Sequence, residues 1–489
     1  MSLTTFPGQN APQIAPKDTA LAWIEVLAGQ NLINGALCPT ETTLEVLNPA
    51  SLKPLGQAAA SDPKDVAEAV AAAKAAQGAW ADLSARTRGA LVAEAGRALA
   101  AHAETLAVLL AMESGKALRT ECRGELASAA DLLVFYGGLG SELKGETIPF
   151  DPNVFATTTR EPLGVVGAIL PWNVPLVLMM LKIAPALVAG NSVVIKASEE
   201  VPYATLAAGV ILDMILPKGV LNIICGTGLG CGAALTEHHD VAKITFTGSE
   251  AVGEQVYAAG AKRIAPVSLE LGGKSPMIVC PDADLDRSIT GAVAGMRFTR
   301  QGQSCTASSR IYVHEDILED FVKGLRAHLD GLVIGDPLNE NTDIGTVVSS
   351  KQCQVIQKYI SLAETTPGAE IIRCSTLPED AALSLDLYFQ PTLILGLPQD
   401  SPVVQEEIFG PVAVILPWSD YDAVIAAAND SPYGLAASIW TTNLTTALNA
   451  TKRLNAGYIQ VNQNLTIQPN LSYGGFGRSG LGKEASLEA

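Results

Sequence analysis

The chain has 489 residues, more than the roughly 250 to 300 that one hydrophobic core holds, so two large domains are expected. Its 32 Lys and Arg against 50 Asp and Glu give a net charge of -18, which lacks the basic stripes that bind phosphate backbones and argues against nucleic acid. Lys182 and two prolines interrupt the longest apolar stretch, and the start MSLTTFPGQN has neither region of a signal peptide, so no membrane and a cytoplasmic location are expected.

The 8 cysteines show no CxxC spacing and read as reduced thiols, and the 5 histidines show no ligand spacing, so no metal site is expected. From Asp62 to Lys116, apolar residues at helical spacing predict a pair of amphipathic helices, opened by Asp and Pro. The stretch ETIPFDPNVFATTTREP alternates polar and β-branched residues and predicts a hairpin, whose exposed strands invite a partner chain.

Beyond it, PLGVVGAIL, GNSVVIKAS, KGVLNIICG and AKITFTGS are short β-branched runs separated by helical segments. Strand alternating with helix predicts an α/β fold with a parallel, doubly wound sheet. After LELGGKSPMIV the alternation resumes through SSRIYVHE, ILEDFVKGLRAHLDGL, PTLILGL, VAVILPW and SDYDAVIAAANDS, which predicts a second α/β domain.

Ligands of such sheets bind beyond the carboxyl ends of the strands. There the chain places Trp172 and Asn173, then Lys196 and Glu199, then Gly226 and Gly228, then Gly248, Ser249 and Gly253. The GSEAVG turn suits a pyrophosphate at a helix N-terminus, or is only a tight strand-to-helix connection. Glu199 can accept from ribose hydroxyls and would repel a 2′-phosphate, whereas Lys196 could pair with one. Cys305, in RQGQSCTASSR, sits among small and polar neighbours that suit an accessible thiol. Glu270, in LELGGKSP, is either a buried base with a raised pKa or the partner of a lysine. Asn173 offers an amide to a developing oxyanion, or is a turn residue.

The stretches PWNVPL, KASEEVP, FTGSEAVG, LELGGKSP, RQGQSC, QEEIFGPV and GGFGRSGLGKE, in this order, resemble the aldehyde dehydrogenase superfamily from about Trp23 to the end. The resemblance implies two doubly wound domains, Rossmann-like 20–142 plus 163–271 and catalytic 272–464, with oligomerisation or bridging elements at 143–162 and 465–489. It implies a Cys305 nucleophile, an oxyanion site of Asn173 and the Cys305 N–H, Glu270 as general base, and Lys182 and Glu484 as groups moving the proton outward. For the cofactor, NAD with NADP possible, it implies Trp172, Lys196, Glu199, Gly248, Ser249, Gly253, Leu271, Glu407 and Phe409. A homodimer or homotetramer is implied as well.

The substrate funnel implied by the resemblance is lined by Val174, Leu178, Leu181, Ser304, Thr306, Ile467 and Tyr473. This apolar lining, with no arginine for a carboxylate and no cage for an ammonium group, suits an aromatic or medium-chain aldehyde. A semialdehyde or amino-aldehyde is the alternative substrate. Glu270 argues against a CoA-acylating relative, and no histidine stands near to make Cys305 a hydrolase nucleophile. The chain departs from the family in KASE for KPSE, in Thr299 and Arg300 for Phe-Asn, and in an interval from Glu270 to Cys305 that is one residue longer. It also stops short of a strand used in subunit contacts, so truncation is an expectation. Arg300 has no role in the chemistry so derived.

Overall fold

The structure is a computed structural model that describes residues 15–464 and 467–489. Its two main sheets are both largely parallel. In the first, five parallel strands run in the order Leu221–Cys225, Ser192–Ala197, Val165–Ile169, Val241–Thr247 and Val267–Glu270. Every residue of the first three is buried, as befits parallel strands covered by helices on both faces. Antiparallel strands Gln30–Ile33 and Ala36–Pro39 extend one edge, and Gly480–Leu481 closes the other against Val267–Glu270. The 480–481 pair, expected among bridging elements, thus completes this sheet.

The second sheet has seven strands, Glu370–Arg373, Thr392–Leu395, Val412–Trp418, Arg310–His314, Pro276–Val279, Ala436–Trp440 and Tyr458–Val461, in that spatial order. All its pairings are parallel except that of Glu370–Arg373 with Thr392–Leu395. The expected hairpin is present as Thr147–Ile148 paired with Ala156–Thr157, and its loop exposes Phe150 and Phe155.

The expected helix pair between Asp62 and Lys116 is three helices, Pro63–Ala81, Ala85–Ala101 and Ala103–Ser114. Asp62 and Asp65 form a capping box at the first, and Ser84 accepts from the Thr87 N–H to start the second. His102 ends the second helix and opens the third, a break that helical periodicity alone does not mark. Among the described residues no single helix is long and apolar enough to cross a membrane.

Candidate active site

In the first sheet the strand order reverses between Val165–Ile169 and Val241–Thr247, the place where doubly wound sheets open a crevice. Trp172 and Asn173 follow the first of these strands, and Gly248 and Ser249 follow the second. Ser249 is the N-cap of helix Glu250–Arg263, yet its side chain makes no capping hydrogen bond. The first-turn N–H groups there are left to a ligand or to water. Gly248 and Gly253 also answer to packing. A Cβ at Gly248 would lie 2.5 Å from the Phe246 ring, and one at Gly253 2.5 Å from Leu271, so Gly253 lets the helix press against the end of the Glu270 strand.

Lys196, buried in its strand, donates to Glu199 at 2.5 Å, so the two residues read separately in the sequence form one ion pair. Trp172 meets Phe409 edge to face, with centroids 5.3 Å apart and planes at 89°. Phe409 has a left-handed φ of 55°, and its turn is held by Gln352, which donates to the carbonyls of Ile408 and Phe409 at 3.0 and 3.1 Å. The Gly273 N–H donates to Glu407 Oε1 at 3.0 Å, and a Cβ at Gly272 would lie 2.3 Å from Glu407 Oε2. Burial pushes the Glu407 carboxyl up to about 7, against the Gly273 hydrogen bond and the Lys274 charge. Lys274, buried, donates to the carbonyls of Val403 and Glu406 at 2.9 and 2.5 Å, and burial brings its ammonium down to about 7. It ties the strand end to the turn that carries Glu407.

Cys305 closes a turn of unusual backbone. Arg297 (φ 55°), Gln301 (φ 57°) and Gly302 (φ 64°) are all left-handed, and a short 3₁₀ turn, Phe298–Arg300, lies between the first two. Left-handed non-glycine residues persist where surrounding contacts over-determine them. Here Gln301 Nε2 donates to the Gly345 and Phe389 carbonyls at 2.8 and 3.2 Å, and Gln303 Oε1 accepts from the Val348 N–H at 3.0 Å. Asn173 Nδ2 donates to the Gln303 carbonyl at 3.1 Å, which brings the amide to the Cys305 loop.

The Cys305 thiol is half-buried, with Sγ 3.7 Å from the Tyr473 hydroxyl. Burial pushes it up to about 11, while the Tyr473 contact acts in the opposite sense. Gly273 is glycine for this loop's sake: a Cβ there would lie 2.6 Å from the Cys305 carbonyl oxygen. Ser304 and Thr306 are buried and their hydroxyls meet at 3.1 Å, each serving as the other's partner.

Glu270, at the end of its strand, is 5% exposed, and its Oε2 has no hydrogen-bonding partner among the described residues. Burial, helped by the charge of Glu484, holds the carboxyl well above the ordinary range, and Lys182 and Lys483 oppose the shift. Lys182 pairs instead with Glu484 at 2.7 Å and donates to Thr245 Oγ1 at 3.1 Å, all three being buried. Gly474 (φ 156°) completes the enclosure, since a Cβ there would lie 3.0 Å from Glu270 Oε1. The segment 473–484 therefore reaches the thiol through Tyr473, the Glu270 carboxyl through Gly474 and Lys182 through Glu484.

The expected substrate residues divide. Leu178 is buried, and half-buried Val174 opens helix Pro175–Val188. Leu181 lines a recess of about 500 Å³ together with Lys182, Lys243 and Glu484. Ile467 is 40% exposed, beside residues outside those described.

Sequence reading missed three charged residues that hold this site. Lys116 and Glu125 form a buried ion pair. Lys116 also donates to the Asn173 carbonyl at 2.8 Å, and Glu125 Oε1 accepts from the Leu176 N–H at 2.9 Å, capping helix Pro175–Val188. Glu121 accepts from Thr299 Oγ1 and, at 2.7 Å, from Arg300 Nε. Arg300, which the sequence left without a role, therefore has a partner. No local motif around 116–125 signals these contacts; a buried-charge pattern appears only once the helices are packed.

A model of the aldehyde dehydrogenase family matches residues 38–489. The chain is similar to the phenylacetaldehyde dehydrogenase of Pseudomonas fluorescens, 38% identical over 475 residues that cover 95% of this chain and 93% of that one. It is similar to the mitochondrial benzaldehyde dehydrogenase of Antirrhinum majus, 38% identical over 459 residues that cover 93% and 85%. Among solved structures, the NAD+ complex of a Bacillus cereus aldehyde dehydrogenase superposes with a TM-score of 0.92 at 33% identity, covering 98% of this chain and 97% of that one. Matched along nearly all its length in sequence and in fold, the chain belongs to the aldehyde dehydrogenase family and is an oxidoreductase acting on aldehydes.

Proposed function

We propose that this enzyme oxidises aromatic and other hydrophobic aldehydes to carboxylic acids with NAD, through a thioester on Cys305. The observation that carries the mechanism is a half-buried thiol within the field of a buried carboxyl, Glu270, whose Oε2 has no partner among the described residues. An unpartnered buried acid of raised pKa is suited to taking a proton from a reacting group.

The Cys305 thiol gives its proton to Glu270, from which it leaves by way of Lys182 and Glu484, while sulfur attacks the aldehyde carbon and the carbonyl electron pair moves to oxygen, giving a thiohemiacetal. Asn173 has one N–H committed to the Gln303 carbonyl, leaving its second for this oxyanion beside the Cys305 backbone N–H. NAD, when bound, accepts the hydride released as the thiohemiacetal becomes a thioester. Glu270 then takes a proton from water, the water oxygen adds to the thioester carbon, and collapse expels the Cys305 thiolate and the acid. The Lys182–Glu484 pair, which shares the recess behind helix Pro175–Val188, carries the proton outward from Glu270.

The residues fit the cofactor. The helix start at Ser249 lacks a side-chain cap and suits the pyrophosphate, Glu407 suits ribose hydroxyls, and the Trp172 and Phe409 rings border the crevice. Lys196 is committed to Glu199, so its charge is neutralised at the place where a 2′-phosphate would need it. This supports NAD over NADP.

For the substrate, Tyr473 meets the thiol with its hydroxyl and Tyr458 with its ring, centroids 5.9 Å apart, in the apolar cluster that also holds Val174 and Leu178. Such a wall suits a ring or an alkyl chain. Arg300 offers no site for a carboxylated aldehyde, because Glu121 holds its guanidinium. The names of the two relatives, which act on benzaldehyde and phenylacetaldehyde, lend the same support. The exposed Phe150 and Phe155 of the hairpin support assembly between copies, which sedimentation velocity measures. A panel of aromatic, aliphatic, amino and carboxylated aldehydes with NAD tests the substrate, and Cys305→Ala tests the nucleophile. Turnover confined to carboxylated aldehydes refutes the first, and an alanine variant of undiminished rate refutes the second.

A further inference from the structure

One ten-residue segment, Lys116 to Glu125, meets both arms of the active site from behind. It opens with a π-helical turn, Leu118–Cys122, an irregularity that recurs at functional sites. Its outer side is fastened to a distant part of the chain. The Leu118 N–H donates to the Pro337 carbonyl at 2.8 Å, Thr120 Oγ1 donates to the Asp343 carbonyl at 2.7 Å, and Arg119 pairs with Asp343. Its inner side carries two buried carboxylates. Glu125, with Lys116, holds Asn173 and the helix that follows it. Glu121, 5% exposed, is turned to the nucleophile loop.

Both Glu121 oxygens are engaged by that loop. Thr299 Oγ1 donates to Oε1, while Arg300 donates to Oε2 through Nε at 2.7 Å and meets it again through its terminal nitrogen at 2.6 Å. Thr299 and Arg300 lie between the left-handed residues Arg297 and Gln301, where the chain is least able to hold its own shape. A bidentate acid at this point fixes the turn from which Cys305 is presented. It also sets the local charge. The thiol lies in the field of Tyr473, Glu407, Glu270, Arg300 and Arg297. Arg300 in turn faces Glu121 and Glu125, and Glu121 faces Arg300, Arg297 and Thr299.

We infer that Glu121 is a positioning residue for the nucleophile, holding the 297–303 turn through Thr299 and Arg300 and cancelling the Arg300 charge beside Cys305. The inference rests on Cys305 being the nucleophile. A device of this kind leaves a charge signature that loosened packing does not. Removing the Glu121 charge exposes the thiol to an uncompensated guanidinium and favours the thiolate, whereas removing Arg300 leaves an uncompensated carboxylate and disfavours it.

The experiment is alkylation of the full-length protein by iodoacetamide across pH, read by mass spectrometry on the peptide that carries Cys305. Glu121→Gln is expected to lower the midpoint by at least about half a pH unit, and Arg300→Gln to raise it by a similar amount. The double variant, which removes both charges, is expected to return to within about 0.2 unit of the parent, because the two opposite shifts cancel. With Glu121→Gln, kcat is expected to fall by about tenfold or more as the turn loosens. Single-variant midpoints that coincide with the parent, or move in the same direction, overturn the inference. Should Glu121→Gln not fold, the rise with Arg300→Gln and its reversal in the double variant decide the matter. Alkylation reads the sulfur whether or not aldehyde turns over, so loss of the nucleophile assignment, tested by Cys305→Ala, is a separate outcome.

Discussion

Replacing Gly273 by alanine places one methyl group against the backbone of Cys305. Its Cβ would lie 2.6 Å from the Cys305 carbonyl oxygen and 3.2 Å from Leu435 Cβ, where ordinary contact begins at 3.4 Å. Because the nearer atom belongs to the main chain, relief requires the Cys305 peptide to retreat by about 0.8 Å. A misplacement near 1 Å costs on the order of a hundredfold in rate, so kcat is expected to fall by about 30- to 100-fold. Overpacking of this size destabilises by about 1 to 3 kcal/mol, which a thermal melt separates from the kinetic effect. Gly272→Ala is the internal control, since its Cβ meets the end of the Glu407 side chain, which can swing away. That variant is expected to raise KM for NAD and to leave kcat closer to the parent. Stopped-flow bursts of reduced cofactor distinguish the two. If Gly273→Ala keeps kcat within about threefold of the parent in a folded enzyme, the close approach of the two loops does not position the sulfur and the reasoning fails.

Lys116→Met leaves the Glu125 carboxylate buried without its ion partner and is expected to cost about 3 to 5 kcal/mol in urea unfolding, with kcat reduced because the Asn173 carbonyl is released. With Glu407, raised to about 7, in its proposed place at the ribose hydroxyls, KM for NAD is expected to fall as pH rises through about 7 and the carboxylate forms, and Glu407→Gln to flatten that dependence. Its effect on stability has the opposite trend: a carboxyl raised on folding contributes stability that is full below its ordinary value of 4.5 and lost as pH rises through about 7, which melts at a series of pH values measure. Glu199→Gln frees the Lys196 ammonium and removes a repelling charge, and is expected to raise kcat/KM for NADP by about tenfold, measured against NAD in the same preparation.

The parallel strands of the first sheet were legible because continuous β-branched runs have few other uses, and the residues at their ends followed from the rule for open sheets. Cys305, Glu270 and Asn173 each admitted a structural reading, and the order of seven motifs implied the roles proposed for them. Hidden from that reading was everything set by contacts between distant segments. Lys196 and Glu199 read as competing signals for the cofactor, yet they are one pair. Glu270 as the partner of a lysine was one of two readings, and Lys182 belongs to Glu484, 302 residues along the chain. Arg300 had no explanation until the π-helical turn at Leu118–Cys122 brought Glu121 to it across 179 residues. The early helices were counted short because His102 ends one and begins the next without a glycine or a proline.

The two-residue strand Gly480–Leu481 closes the edge of the sheet on which Glu270 ends, with Gly480 opposite Glu270 and the Leu271 N–H donating to the Ser479 carbonyl at 2.9 Å. During synthesis the first sheet can gather its parallel strands once residue 270 has left the ribosome, but its outer edge stays unpaired until more than two hundred further residues follow. Glu270 gains its enclosure at that same late moment, when Gly474 and Glu484 arrive. The environment of Glu270 is therefore completed by chain made more than two hundred residues after its own strand.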